Sequence, residues 1–228
     1  MIRKSFRTFY CEKKALKGAP LFTFALSVIA FNAASSAAFD DVQLNRAKAL
    51  KVCSKCDLSK ADMTKANLMK SVLDHANLSK AILRQTDFTS ANLEKANLRK
   101  ADMSAAKLSF ANLKGANLEK TILRNANLKN ADLSGAELRK VDLSRASLVR
   151  ATLKSANLAK AVLLKVNFER ADLRGSNFEK SVLDEVNLNG ANLTGADFST
   201  AVLKNVWLIG AVYCRTKMPW GVEAPDCK

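Results

Sequence analysis

Between residues 56 and 213 a large apolar side chain recurs at every fifth position without a break, and that spacing excludes most ways of folding. Of the 32 positions counted from Leu58, 25 are Leu; the rest are Met63, Phe88, Met103, Phe168, Phe178, Phe198 and Tyr213. Two residues ahead of each stands a small one. In 22 cases it is Ala, and otherwise Cys56, Ser71, Thr86, Thr121, Ser176, Ser181, Val141, Val166, Val186 or Val206. An α-helix turns about 100° per residue, so leucines five apart would scatter around the cylinder. A continuous strand alternates its faces, and an odd repeat would send successive leucines to opposite sides. Both conflicts vanish if the chain is extended only from the small residue to the leucine and then turns a corner. The spacing therefore predicts an all-β solenoid of short sides with Leu and Ala inside.

A slower rhythm sets the number of sides. Every fourth beat carries lysine two residues after the large one, at Lys60, Lys80, Lys100, Lys120, Lys140, Lys160 and Lys180, ending in Thr200. A second column has Ile82, Ile122, Val162, Val182 and Val202 just before the large residue, where Asn or Asp is usual. Twenty residues thus make one four-sided coil, and the beats add up to about eight coils.

Tracts such as Ala96-Asn97-Leu98-Arg99-Lys100-Ala101-Asp102-Met103 and Ala191-Asn192-Leu193-Thr194-Gly195-Ala196-Asp197-Phe198 resemble the pentapeptide-repeat family. The resemblance extends over about 160 of the 228 residues. It implies a right-handed quadrilateral β-helix whose coils stack by backbone hydrogen bonds. At about 4.8 Å per coil this makes a rod of roughly 38 Å. Some members of that family mimic DNA and shield topoisomerases. Such mimicry requires an acidic surface, and this chain has 37 Lys+Arg against 21 Asp+Glu.

Residues 1–38 stand apart from the repeat. Arg3, Lys4, Arg7, Lys13, Lys14 and Lys17 precede an apolar run at residues 21–31, and small residues follow to Ala38. That order is the one found in a secretory signal peptide, with cleavage expected after Ala38. The run of 11 residues falls short of the roughly 20 that a membrane span needs. The expected destination is the periplasm or the medium. Removing 6 basic residues and 1 acid with the segment leaves 31 against 20, a net charge of +11.

Residues 39–55 are expected to form a helical cap with Asp40 or Asp41 at its N-cap and Val42, Leu44, Ala47 and Leu50 at helical spacing. Cys53-Ser54-Lys55-Cys56 ends it, with Cys56 already in a small-residue slot. A two-residue gap fits a structural thiol or disulfide, a redox pair or half a zinc site. Zinc would need two further ligands, and the chain has one histidine, His75. The string from Val52 to Ser59 also resembles the opening of secreted members of the family, which favours a cap element.

Residues 214–228 form the closing segment. In an exported chain the four cysteines beyond residue 38 suggest bridges. Pairings along the rod exceed the roughly 7 Å reach of a disulfide. Cys214 with Cys227 is the expected lid, and Cys53 and Cys56 are either a second bridge or a pair of thiols. Trp207, Met218 and Trp220 are expected to cover the last coil.

No acid/base pair or activated nucleophile converges anywhere in so regular a repeat, and no Gly-rich phosphate loop is present. The chain reads as non-catalytic, without cofactor or metal. The lysine column, with Arg99, Arg124, Arg139, Arg145 and Arg150 near it, is either a solvated edge or a binding edge for an anionic polymer such as lipid headgroups, lipopolysaccharide phosphates or acidic glycans. Nucleic acid is disfavoured by the lack of interleaved aromatics. The Ile/Val column either packs at a corner or lines a partner or homodimer interface.

Overall fold

The computed structural model describes residues 41–223. The expected signal segment, Asp40 and Cys227 lie outside the described residues.

Helix α1, Asp41–Leu50, comes first. Ala47 is fully buried and Leu44 packs against the core, whereas Val42 and Leu50 face solvent, so the apolar stripe is half as long as the spacing suggested. Lys51 ends the helix with a φ of 55°. That is the left-handed conformation of a helix C-cap.

From there the backbone stacks in parallel, and the residue before each large one pairs with the residue twenty later. This ladder runs from Val52↔Val72 to Asp197↔Lys217. The two bonds at each pairing repeat along it, as in Asn77 N–H to the Cys56 carbonyl (2.8 Å) and Leu58 N–H to the Asn77 carbonyl (2.7 Å). A twenty-residue register over five-residue beats gives four sides. They are named here by their first pairing after the cap: the first through Leu58, the second through Met63, the third through Leu68 and the fourth through Leu73. The large residues fill the interior and the small ones let opposite sides approach. The large residues from Leu58 to Phe198 are all buried, and on the first side Phe178 stacks on Phe198 with centroids 4.2 Å apart.

Each corner is a β-turn except the three that follow Leu163, Leu183 and Leu203, where the chain stays extended. The small residue's N–H returns to the large residue's carbonyl, as in Ala61 to Leu58 at 3.2 Å. The residue before it has positive φ, the signature of a type II turn. Glycine suits that conformation best. Yet 26 corner residues that are not glycine adopt it, with φ between 46° and 62°. What holds them is the neighbouring coil. The corner N–H donates to a carbonyl one coil on, as Lys60 does to Ser79 at 2.9 Å. Thr200 is the exception. Being β-branched, it stays out of the left-handed region. Its hydroxyl replaces the carbonyl as acceptor for Lys180 N–H at 3.0 Å.

The preference for Asn or Asp before the large residue has an equally local cause. The side-chain oxygen accepts the N–H two residues on, as short polar side chains do in turns. Asp57 accepts from Ser59 at 3.0 Å and Asn97 from Arg99 at 3.2 Å. Threonines in small slots satisfy their hydroxyls across coils. Thr86 donates to the Met63 carbonyl and Thr121 to the Leu98 carbonyl, each at 2.7 Å.

Both ends extend further than the spacing showed. Val52 already pairs in the ladder and Cys53 fills a large-residue slot, fully buried. At the far end Thr216 occupies a small slot and Met218, 5% exposed, a large one. Strands β4, Thr216–Met218, and β5, Gly221–Glu223, then form an antiparallel hairpin that turns the chain off the ladder. Of the three residues expected to cover the last coil, Met218 is buried. Trp207 and Trp220 are exposed, because Trp207 sits at the outward ladder position and Trp220 in the hairpin turn.

Candidate interaction surfaces

The seven lysines from Lys60 to Lys180 occupy successive corners of the first side. Six are exposed and Lys120 is partly covered. Two are paired with acids on their own side: Lys120 with Glu119 at 3.6 Å and Lys180 with Glu179 at 3.0 Å. Arg99 also donates to Glu119, at 2.9 Å. That hydrogen bond, ahead of the opposing effect of burial, holds the Glu119 carboxyl below its usual pKa, and Lys180 does the same for Glu179. Among the described residues no ion pair involves Lys60, Lys80, Lys100, Lys140 or Lys160, so an uncompensated run remains on either side of Glu119. Arg99 and Arg139 lie on the same side. Arg124 and Arg145 belong to the second side, and Arg150 sits two corners away.

On the second side the outward ladder column reads Asp62, Ile82, Asp102, Ile122, Asp142, Val162, Val182, Val202. Ile82 and Ile122 each stand between two aspartates. They do not join the valines, so the five apolar residues form no single stripe. Each is 37 to 48% exposed, which places them on the outer surface and not inside the corner. Arg84 reaches Asp102 and Arg124 reaches Asp142, each at 2.5 Å. Burial raises the pKa of both aspartates, and hydrogen bonds from Ser104 or Ser144 and from the arginine outweigh it, for a net lowering. From Val162 upward no side-chain oxygen is available to take the N–H two residues on. The chain there stays extended for a third residue, giving strands β1, Val162–Leu164, β2, Val182–Asp184, and β3, Val202–Lys204, paired in parallel. An open recess at the junction is lined by Arg124, Asp142, Ser144, Arg145, Val162 and Leu164.

The third side carries no uniform column. Lys107, Lys129, Arg150 and Arg170 face outward there, with Asp87 and Glu169 as its acids. Both acids are engaged, Asp87 by Lys107 at 3.6 Å and Glu169 by Arg170 at 3.9 Å. Phe110 stands on a left-handed corner, 62% exposed, and near the end of the same side Trp207 and Ile209 are 48% and 77% exposed. The signal in the sequence was Phe110, an aromatic in a slot that is polar or small at every other corner.

Cys53 and Cys56 form a disulfide with Cα atoms 5.3 Å apart. A bridged pair leaves no thiolate for zinc. It lies where α1 meets the first coil. The Gln43 side-chain oxygen accepts Asp57 N–H at 2.7 Å, and the Gln43 carbonyl oxygen lies 3.4 Å from Cys53 Sγ. Cys214 is also disulfide-bonded. Among the described residues no group of three or more His, Cys, Asp or Glu could hold a metal ion, and no helix is long and apolar enough to cross a membrane.

A four-sided parallel solenoid with a five-residue beat, chemically varied outside and uniform inside, defines a repeat protein that works through its surface. The pattern of pentapeptide repeats matches in 8 copies, from residues 52–89 at one end to 181–212 at the other. The chain belongs to the pentapeptide-repeat family, whose fold is the right-handed quadrilateral β-helix. Among solved structures it is similar to HetL, a pentapeptide repeat protein involved in heterocyst differentiation regulation from the cyanobacterium Nostoc sp. strain PCC 7120. The two are 34% identical, over 75% of this chain and 84% of that one, with a TM-score of 0.37. It is also similar to full-length QnrB1, a plasmid-mediated fluoroquinolone resistance protein, at 20% identity over 70% and 89% of the two chains and a TM-score of 0.40. A pentapeptide repeat protein from the Arabidopsis thaliana thylakoid lumen is 28% identical over 47% and 61%, with a TM-score of 0.24. No curated protein gives a significant match.

Proposed function

We propose that this chain is a non-catalytic, exported rod of about eight coils that binds an anionic polymer outside the cytoplasm through its lysine edge. The observation that carries the reading is the run of exposed corner lysines on the first side, five of them without an ion pair among the described residues. Charges about 4.8 Å apart repel by roughly 0.9 kcal/mol per pair in water, so a polyanion laid along the edge relieves repulsion as it gains attraction. Cleavage after Ala38 would release the rod. Helix α1 with its disulfide closes the first coil, and a Cys214 to Cys227 bridge closes the last. Val162, Val182 and Val202 are the part of the apolar column contiguous enough to support self-association, with Leu164 beside Val162.

A DNA-mimic role in topoisomerase protection is the alternative, and the charge argues against it. On each of the four sides the outward basic residues outnumber the acidic ones.

The test is retention on immobilised sulfated or phosphorylated polymer, with elution by salt. Replacing Lys100, Lys120, Lys140 and Lys160 with Gln should shift elution to much lower salt. Unchanged elution of that variant would remove the lysine edge as the binding site. Light scattering of the wild type at micromolar concentration reports self-association at the valine patch.

A further inference from the structure

We infer that the third side is a docking face for an anionic lipid surface, with Phe110 at one end and Trp207 and Ile209 at the other entering the interface. Three observations converge on it. The first is cost. Phe110 holds a bulky aromatic in the left-handed region and exposes most of it. Those are two unfavourable features at one position. The corner one coil below is Ser90 and the one above is Asn130, so the slot itself asks for nothing apolar.

The second is placement. Lys107 and Trp207 belong to one ladder, which runs Lys107↔Asn127↔Ser147↔Asn167↔Asn187↔Trp207. Five coil spacings separate them, roughly 24 Å at the inter-strand distance. Phe110 follows Lys107 and Ile209 follows Trp207 on the same side. The apolar groups therefore mark the two ends of a flat strip, and the ground between them is chiefly Asn, Ser, Lys and Arg.

The third is charge. Between the ends the strip carries Lys107, Lys129, Arg150 and Arg170; Lys107 engages Asp87 one coil below and Arg170 engages Glu169, which leaves Lys129 and Arg150 without an acid among the described residues. A protein partner would need a contiguous apolar centre to bind firmly, and this strip has none. A bilayer surface makes no such demand. Aromatic and aliphatic side chains enter it singly at the headgroup level, while lysines and arginines between them meet anionic headgroups. The strip is also diagonally opposed to the lysine edge, so one rod could hold a membrane on one side and a polymer on the other.

The chain contains two tryptophans, and one lies at the proposed contact, which allows a local readout. In full-length Trp220→Phe protein the emission comes from Trp207. It should shift to the blue and be quenched by brominated lipid on vesicles of phosphatidylcholine with phosphatidylglycerol, and not on phosphatidylcholine alone. Lys107→Gln with Lys129→Gln and Arg150→Gln should weaken binding about a hundredfold. Phe110→Ser with Ile209→Asn should weaken it about tenfold. Each of these last two residues already stands in the same column one coil below, as Ser90 and Asn189, so the rod should fold unchanged, checked by far-UV circular dichroism. Quenching of Trp207 should persist in the variant with four glutamines on the lysine edge. Vesicle binding that leaves Trp207 unquenched would assign attachment to another part of the chain and overturn the inference. So would absence of vesicle binding, or capture of a soluble polyanion by this side without it.

Discussion

The lower and upper halves of the second side differ in one atom type and consequently in backbone. Below, at Asp62, Asp102 and Asp142, a carboxylate oxygen clasps the N–H and hydroxyl of Thr64, Ser104 and Ser144, and every turn closes. Ile82 and Ile122 interrupt that column, yet their turns still close, with Thr86 N–H to Leu83 at 3.3 Å and Ala126 N–H to Leu123 at 3.1 Å. Above, three valines in succession leave no oxygen in reach, and the chain runs on as β1, β2 and β3. One missing clasp is bridged by its neighbours; three in a row change the local structure. The interior does not register the difference, because Leu143 below and Leu183 above are equally buried.

A shared interior should answer alike in both halves. Leu143→Ala and Leu183→Ala should each cost about 3 kcal/mol, within about 1 kcal/mol of one another, by urea denaturation. A much smaller loss at Leu183 would mean that the upper coils are loosely packed. Acid should then separate the halves. The folded pKa values of Asp62, Asp102 and Asp142 lie below the ordinary carboxylate value. Their contribution is complete above about pH 4 and is lost as pH falls through the depressed folded values. The denaturation midpoint should be flat from neutrality down to about pH 4 and then fall. Asp62→Asn, Asp102→Asn and Asp142→Asn together keep the acceptor oxygen and should flatten that fall.

The smallest effects are expected at single clasps. Asp142→Ala removes the clasp on Ser144 and the Arg124 partner and should cost about 1 kcal/mol. Val182→Asn supplies an oxygen to the N–H of Asp184 and should move stability by less than that, while hydrogen exchange at residues 184 and 186 shows whether the turn has closed. Unchanged exchange would mean that valine is not what keeps β2 extended.

The five-residue beat and the twenty-residue register were legible because Leu, Ala and Lys repeat at fixed offsets, and the ladder follows them. The ends were harder to read. Cys53 fills a leucine slot behind Lys51, where a small residue was expected, so the first pairing at Val52 went unnoticed. Thr216 and Met218 keep the beat for one more step, but Cys214 and Arg215 stand between them and Tyr213, and Pro219 follows at once, so the spacing alone does not extend the ladder. Glycine, the residue that would announce a left-handed corner, stands at only six of them. The hydrogen bond that holds Lys60 or Arg145 in a left-handed conformation comes from the next coil, so no local signal reports it. Uniform columns were found on two sides. The third side's surface is a mixture of Lys, Phe, Asn and Trp, which becomes coherent only when the ladder sets residues a hundred positions apart on one strip.

Since the bonds that hold a corner belong to the main chain, the residue seated there carries almost no structural duty. Lys, Arg, Gln, Ser, Phe and Asn all sit on the same scaffold. The outside of this molecule is thus a lattice of interchangeable tiles, and new adhesive properties can arise one tile at a time without disturbing the masonry beneath.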